Sequence, residues 1–254
     1  MTAGSQRGIS PRLNADAGFI RVVAMVTMLI DHIGVVFFPG VLELRVIGRI
    51  AFPLFCWGIV TGFERTRNWP RYALRLLLMG LVAQPFYMLA LKHRLYEFNV
   101  MATLLLGLLA IVGIREKRLG SQVWAPLLCL ALAAMQPMDY GWRGVLLIIL
   151  MYLARRSAGG LAALMVAFCL YWGSGSSEVV RFFGLRLKPE VQVGSPLYSV
   201  VSMLFSFMRL QALALLSLPF MLCRTNTGIK VPRWLAYGMY PGHLLLLWLI
   251  RQAI

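Results

Sequence analysis

Residues 18–38, GFIRVVAMVTMLIDHIGVVFF, form an apolar run of helical length that carries Arg21, Asp31 and His32 inside it. About 20 apolar residues in a helix cross the hydrocarbon core of a bilayer, so this stretch reads as a membrane span. Ionisable groups at that depth are costly unless they face a partner or a water-filled cavity, and each of the three therefore implies something opposite it. Arg21 and His32 are separated by about 16 Å along a helix axis, and their directions differ by only about 20° beyond three full turns. One face thus presents a cation near one membrane surface and an imidazole deeper in, while Asp31 points about 100° away from His32.

The rest of the chain repeats the pattern. Its 254 residues are 60% hydrophobic with a mean hydropathy of +0.76, against roughly 45–50% apolar residues in soluble domains. The expected fold is an all-α, polytopic transmembrane bundle forming a single domain over residues 1–254. It has about nine spans, with eight or ten as alternatives: 18–38, 45–63, 70–91, 100–114, 123–137, 141–154, 159–172, 196–223 and 234–254. A polar segment precedes the first span, and residues 173–195 make one long hydrophilic loop. The stretch 196–223 exceeds one span, so a re-entrant or interfacial piece is expected in it, with Arg209 and Gln211 near the junction.

A net charge of +16 would point to nucleic acid in a soluble chain. Here the cations sit between apolar segments and read as topology signals, so the expected partner is the lipid bilayer and no nucleic acid. With the N terminus in the cytoplasm, the inner connections hold Arg7, Arg12, Arg65, Arg67, Arg71, Arg115, Lys117, Arg118, Arg155, Arg156, Arg224, Lys230 and Arg233. The outer ones hold the smaller set Arg45, Lys92, Arg94, Arg143, Arg181, Arg186 and Lys188, which favours that orientation. Cys56, Cys129, Cys169 and Cys223 show no CxxC or metal-ligand spacing, so they read as packing residues and no metal is expected.

Few polar groups lie inside the spans. His32 suits a general base, or else is a packing histidine bonded to a backbone carbonyl. Asp31 pairs most naturally with Arg49 on the next helix, an ion pair that by itself is a sufficient structural account. Arg21 and Arg45 have snorkelling as their plain alternative. Asp139-Tyr140-Gly141 is a turn whose carboxylate is placed to bind an amine or orient a base. Tyr240-Pro241-Gly242-His243 brings a second imidazole into the last helix, where Pro and Gly are expected to break the hydrogen-bond ladder or merely kink it. His93, between Lys92 and Arg94, reads as a solvated turn residue.

Taken together, MLIDHIG (28–34), RVIGRIAFPLF (45–55), TGFERTRN (61–68), RYALRLLL (71–78), QPF from Gln84, NVMATLLLGLL (99–109), DYGWRGVL (139–146), LQALALLSLPF (210–220) and YGMYPGHLLLL (237–247) resemble the TraX family of bacterial integral-membrane proteins. That family is named for a conjugal-transfer protein associated with pilin N-terminal acetylation. A looser likeness is to membrane acyltransferases that O-acetylate sugars, whose first helix looks like an arginine, ten residues, then a catalytic histidine; Arg21 and His32 fit that spacing. The resemblance implies a multi-pass protein of the bacterial inner membrane that moves acetyl from acetyl-CoA to a pilin-type amine, or to a glycan or lipid hydroxyl. It implies catalytic roles for His32, Asp31 and His243, acyl-CoA binding by Arg21, Arg45, Arg49, Arg67 and Arg71, and acceptor orientation by Asp139, Tyr140 and Tyr240. A proton-coupled transporter relaying through Asp31, His32 and His243, and a non-catalytic scaffold, are the competing classes.

Overall fold

The structure is a computed structural model that describes residues 8–179, 181–186, 196–205 and 208–253. Arg7 and Lys188, which entered the charge count, lie outside the described residues, as do loop positions 187–195. The first helix, α1 (Ala17–Phe37), starts on Asp16, whose carboxylate accepts the Phe19 N–H at 3.1 Å. This is the N-cap arrangement that satisfies an otherwise orphaned helix donor. The same carboxylate accepts the Thr227 N–H and hydroxyl, each at 2.8 Å, and so ties the start of α1 to the connection before the last helix.

The expected second span is two helices, α2 (Leu42–Gly48) and α3 (Ala51–Arg65). Pro53 explains the break: it has no N–H to give to the carbonyl four residues back, and its ring crowds that carbonyl, which belongs to Arg49. The backbone turns there through short bonds from Arg49 N to Val46 O (3.1 Å) and Ile50 N to Ile47 O (3.2 Å). The turn carries Arg49 at the point where α2 and α3 meet α1. Glycines let α2 approach: a Cβ on Gly34 would lie 2.8 Å from Leu44 Cβ, and one on Gly48 would run into the Asp31 side chain. Gly48→Ala is therefore expected to cost about 1–3 kcal/mol by overpacking. Thermal unfolding in detergent checks this against Gly159→Ala, where a Cβ meets nothing within 4 Å and no loss is expected.

Then follow α4 (Trp69–Leu91), α5 (Val100–Glu116), α6 (Ser121–Met135), α7 (Gly141–Ala154) and α8 (Ala158–Gly173). The α4–α5 turn is clasped by Gln84, whose amide donates to Glu97 O at 2.7 Å and accepts from the Asn99 side chain at 2.8 Å. After α8 the loop makes a short hairpin, β1 (Arg181–Phe182) with β2 (Leu185–Arg186). Its turn has positive φ at Phe183 (48°) and Gly184 (75°), as two-residue hairpins of this twist require.

Among the described residues the 196–223 stretch divides into α9 (Pro196–Phe205), a 3-10 segment (Ala212–Ser217) and the short α10 (Leu218–Leu222), with no single long helix after the junction. The last helix, α11 (Arg233–Ala253), runs on through Pro241, so of the two alternatives there the broken helix is not the one found, and α4 runs on through Pro85, where the sequence predicts a kink. Four helical stretches are long and apolar enough to cross a membrane among the described residues: Ala17–Phe37, Leu42–Arg65, Trp69–Leu91 and Arg118–Met135. Trp57, Leu54, Leu108, Ile148, Met151 and Leu161 fill the middle of the bundle, while Leu77, Leu81, Leu127 and Leu128 face outward as lipid-facing side chains do.

Candidate active site

Along α1 the side chains change role from one end to the other. Ala17, Ile20, Arg21 and Ala24 line an apolar cleft of about 320 Å³, whose other walls include Phe55, Ile59, Leu76, Met79 and Leu104 from α3, α4 and α5. Arg21, Arg65, Tyr72 and Tyr237 are its polar residues. Near the far end of α1, Asp31, His32 and Val35 line a second, polar cavity of about 540 Å³ with Arg45, Arg49, His93, Asp139, Tyr140, Trp142, Arg143, Trp172 and Gln211. Between the two lies a chamber of about 30 Å³ bounded by Met28, Asp31, His32, Gly48, Ala51, Phe52, Phe55, Val100, Asp139, Tyr140 and Tyr240.

Because neighbouring residues on a helix point about 100° apart, Asp31 and His32 face different partners. Asp31 faces the α2–α3 turn and receives Arg49 Nη2 at 2.9 and 3.1 Å and Arg45 Nη1 at 3.1 Å. Arg49 completes its contacts on Arg45 O (3.3 Å) and Gln211 Oε1 (3.4 Å). The cluster carries one carboxylate against two guanidinium groups. Arg49 is 7% exposed, whereas Arg45 is 27% exposed and lines the polar cavity.

His32 faces α11. Its Nδ1 lies 2.7 Å from His243 Nε2, with the rings parallel to within 4°. His243 Nδ1 lies 2.7 Å from Met239 O. A carbonyl only accepts, so in the neutral ring His243 Nδ1 holds the proton and its Nε2 is an acceptor. His32 Nδ1 is then the donor, and the lone pair of His32 falls on Nε2, which has no hydrogen-bond partner among the described residues. The relay fixes the tautomer of His32 and leaves its basic nitrogen free. Tyr240 is buried beside His243, with ring centroids 5.7 Å apart.

Across the polar cavity, Asp139 and Tyr140 stand on the α6–α7 turn. Asp139 N donates to Phe98 O at 2.9 Å, and its carbonyl accepts the Thr103 hydroxyl. Its carboxylate makes no hydrogen bond or ion pair with the described side chains. Burial pushes its pKa up to about 6, against the pull of the Arg49 guanidinium. Tyr140 has a φ of 65°, costly for a non-glycine residue, and its ring stacks on Phe52 at 3.6 Å with Trp172 edge-on at 5.7 Å.

His93 is not simply solvated: it bonds Glu97 at 2.7 Å, stacks on Tyr87 at 4.3 Å and lines the cavity. The Glu97 carboxyl is held below its usual pKa by the Arg94 N–H and by His93. Of the sequence candidates, Asp31, His32, Arg45, Arg49, Asp139, Tyr140, Tyr240 and His243 are gathered at the chamber and polar cavity, and Arg21 is at the apolar cleft. Arg67 and Arg71 are exposed at the Arg21 end and line neither space; Arg65, which the sequence did not single out, lines the cleft. Trp142 and Trp172 were likewise missed, although Trp142 lies within the DYGWRGVL motif.

The family model described as TraX protein matches residues 17–251, the span that contains every one of these side chains. The chain belongs to the TraX family. A relative in Dichelobacter nodosus, a probable fimbrial assembly protein (FimC, serogroup H1), is 35% identical over 179 residues, covering 64% of this chain and 72% of that protein. An uncharacterized protein of Rickettsia prowazekii (strain Madrid E) is 30% identical over 88 residues, covering 35% of this chain and 33% of its own. No solved structure matches this TraX-family chain.

Proposed function

We propose that this TraX-family protein is a multi-pass acetyltransferase of the bacterial inner membrane that moves an acetyl group from acetyl-CoA in the cytoplasm to an amine on the outer side, the N terminus of a pilin-type protein. The observation that carries the reading is the His32–His243 relay beside a chamber set between two spaces at opposite ends of α1. The naming of the Dichelobacter nodosus relative as a probable fimbrial assembly protein supports the pilin-type acceptor.

The N terminus is cytoplasmic in this reading, so Arg21 and Arg65 meet the anionic end of the donor, and the apolar cleft accepts its extended arm. The roughly 16 Å between Arg21 and His32 matches an elongated ligand with a reactive end. The acceptor amine enters the outer cavity, where the free Asp139 carboxylate holds it. Attack forms the bond from nitrogen to the acyl carbon and breaks the carbon–sulfur bond. The amine proton passes to His32 Nε2 and from there to the departing sulfur, which leaves as the CoA thiol, so His32 ends neutral. Arg45, on the cavity wall, supplies positive charge for the oxygen that becomes negative during the transfer.

A second reading is O-acetylation of a glycan, favoured by the Trp142 and Trp172 rings in the same cavity. The test uses labelled acetyl-CoA, which does not cross membranes, with vesicles of both orientations. Inside-out vesicles are expected to incorporate label into protein in a hydroxylamine-resistant, amide-bound form. Hydroxylamine-labile label in glycan would select the second reading. No incorporation in either orientation by folded protein would overturn both and leave transport or scaffolding.

A further inference from the structure

We infer that the nucleotide end of the donor, an adenosine carrying a phosphate monoester and a diphosphate, docks on Arg65, Arg224 and Lys230 in the space between the N-terminal segment and the connection before α11; the inference rests on the acyl-transfer reading above. That space is walled by Ile9, Pro11 and Asp16 on one side and by the connection from Arg224 to Lys230 on the other. It shares Ala17 and Arg65 with the apolar cleft, so the two adjoin at the start of α1.

Both walls are fixed by polar contacts. Asn14, fully buried, anchors the N-terminal segment: its N–H donates to Met221 O at 2.7 Å, its side-chain amide donates to Phe220 O at 2.9 Å, and its carbonyl accepts the Trp57 indole N–H at 2.8 Å. The connection is exposed along most of its length and is held by Asp16, which accepts from the Thr225 hydroxyl at 3.4 Å as well as from Thr227. Gly18 lets the connection close on α1, since a Cβ there would run into Ile229 O.

Charge decides what the space can take. Asp16 is the one acid on its wall among the described residues, and its oxygens are occupied by the Phe19 N–H and the two threonines. Arg65 donates to Ala15 O, a neutral partner that leaves the guanidinium charge uncancelled. Arg224 and Lys230 make no hydrogen bond or ion pair with the described residues. Three cations against one engaged carboxylate favour a multiply charged anion, and phosphate oxygens accept charge-assisted bonds from guanidinium and ammonium groups. Ile9, Pro11 and Ile229 add apolar surface for a base. An anionic lipid headgroup offers the same phosphate chemistry, but the junction with the cleft at Arg65 suits a ligand whose phosphates continue into a long arm.

The test measures binding to the full chain in detergent, apart from acetyl transfer. CoA and adenosine 3′,5′-bisphosphate, which lacks the arm, are both expected to bind wild type, and both affinities to fall about tenfold in Arg224→Gln and in Lys230→Gln. Both side chains are exposed, so the fold should be kept. Lys230→Arg, which keeps the charge, should stay within about threefold of wild type. S-acetylpantetheine, which has the arm and no nucleotide, should bind the two glutamine variants as it binds wild type. In vesicles, KM for acetyl-CoA should rise with the lost affinity while kcat holds. Equal CoA affinity in wild type and both glutamine variants, or CoA binding without bisphosphate binding, would overturn the nucleotide site alone. Short-chain phosphatidylglycerol that binds wild type and is lost in the variants, with no bisphosphate binding, would give the space to a lipid headgroup instead. Neither CoA binding nor acetyl transfer by wild type would overturn the acyl-transfer reading and the site with it.

Discussion

His32→Gln is expected to lower acetyl transfer by about 10²–10⁴-fold, the range in which a positioned base contributes. The protein should still fold and still hold the donor, because His32 is partly exposed to the cavity and takes no part in the Asp31 ion-pair cluster. His243→Leu tests the relay. His32 Nδ1–H would lose its acceptor at 2.7 Å, and nothing would then hold the tautomer that places the lone pair on Nε2. A positioning role predicts that kcat falls by about 10–100-fold while KM for acetyl-CoA moves little, since His243 does not line the apolar cleft proposed to take the donor. Groups that act as a unit are not additive, so the His32→Gln/His243→Leu double variant should be no slower than His32→Gln alone. Wild-type activity in His32→Gln would remove His32 from the chemistry. Wild-type kcat in His243→Leu would show that the tautomer is set elsewhere.

Much of this site was legible because a membrane narrows what charges can do. Asp31 and Arg49 had to find partners, and the helical period put Asp31 toward the next helix and His32 on the face of Arg21. Both imidazoles were singled out separately for their depth. That they touch was hidden, because the pairing depends on how α11 packs against α1 and α4. The α2–α3 break was hidden for a different reason. Pro53 sits inside an apolar run that reads as continuous, and a proline disturbs the carbonyl four residues before it, which moves the turn onto Arg49. His93 was read by its charged neighbours, while Glu97 and the Tyr87 ring are what fix it. Among the turn cations, Arg65, Arg67 and Arg71 are equivalent in sequence, and only the rotation of the last turn of α3 brings Arg65 to the cleft. The chamber is likewise a product of packing, since Gly48, Ala51, Phe55 and Tyr240 come from three helices.

Asp31→Leu should be the most destabilising of the substitutions considered. Arg49 is 7% exposed, and removing the carboxylate 2.9 Å from its guanidinium strands a buried cation. Losing one partner of a buried pair costs about 3–5 kcal/mol, a fall in Tm of about 10 °C for a chain of this size. Arg49→Met should cost less, because Asp31 keeps Arg45 at 3.1 Å and the methionine fills much of the vacated space. Asp31→Leu/Arg49→Met should recover much of the single Asp31→Leu loss: Arg45 is left without its carboxylate, but it is 27% exposed and reaches the polar cavity. Thermal unfolding of the four proteins in one detergent gives the cycle, with a coupling of at least about 1 kcal/mol expected for groups in direct contact. Equal losses for the two single variants, with simple addition in the double, would mean that Arg45 rather than Arg49 holds Asp31. Acetyl transfer should stay low in the double variant even as stability returns, because Arg45 loses the carboxylate that positions it on the cavity wall beside His32. That separation of stability from activity is what an ion pair serving both the fold and the site requires.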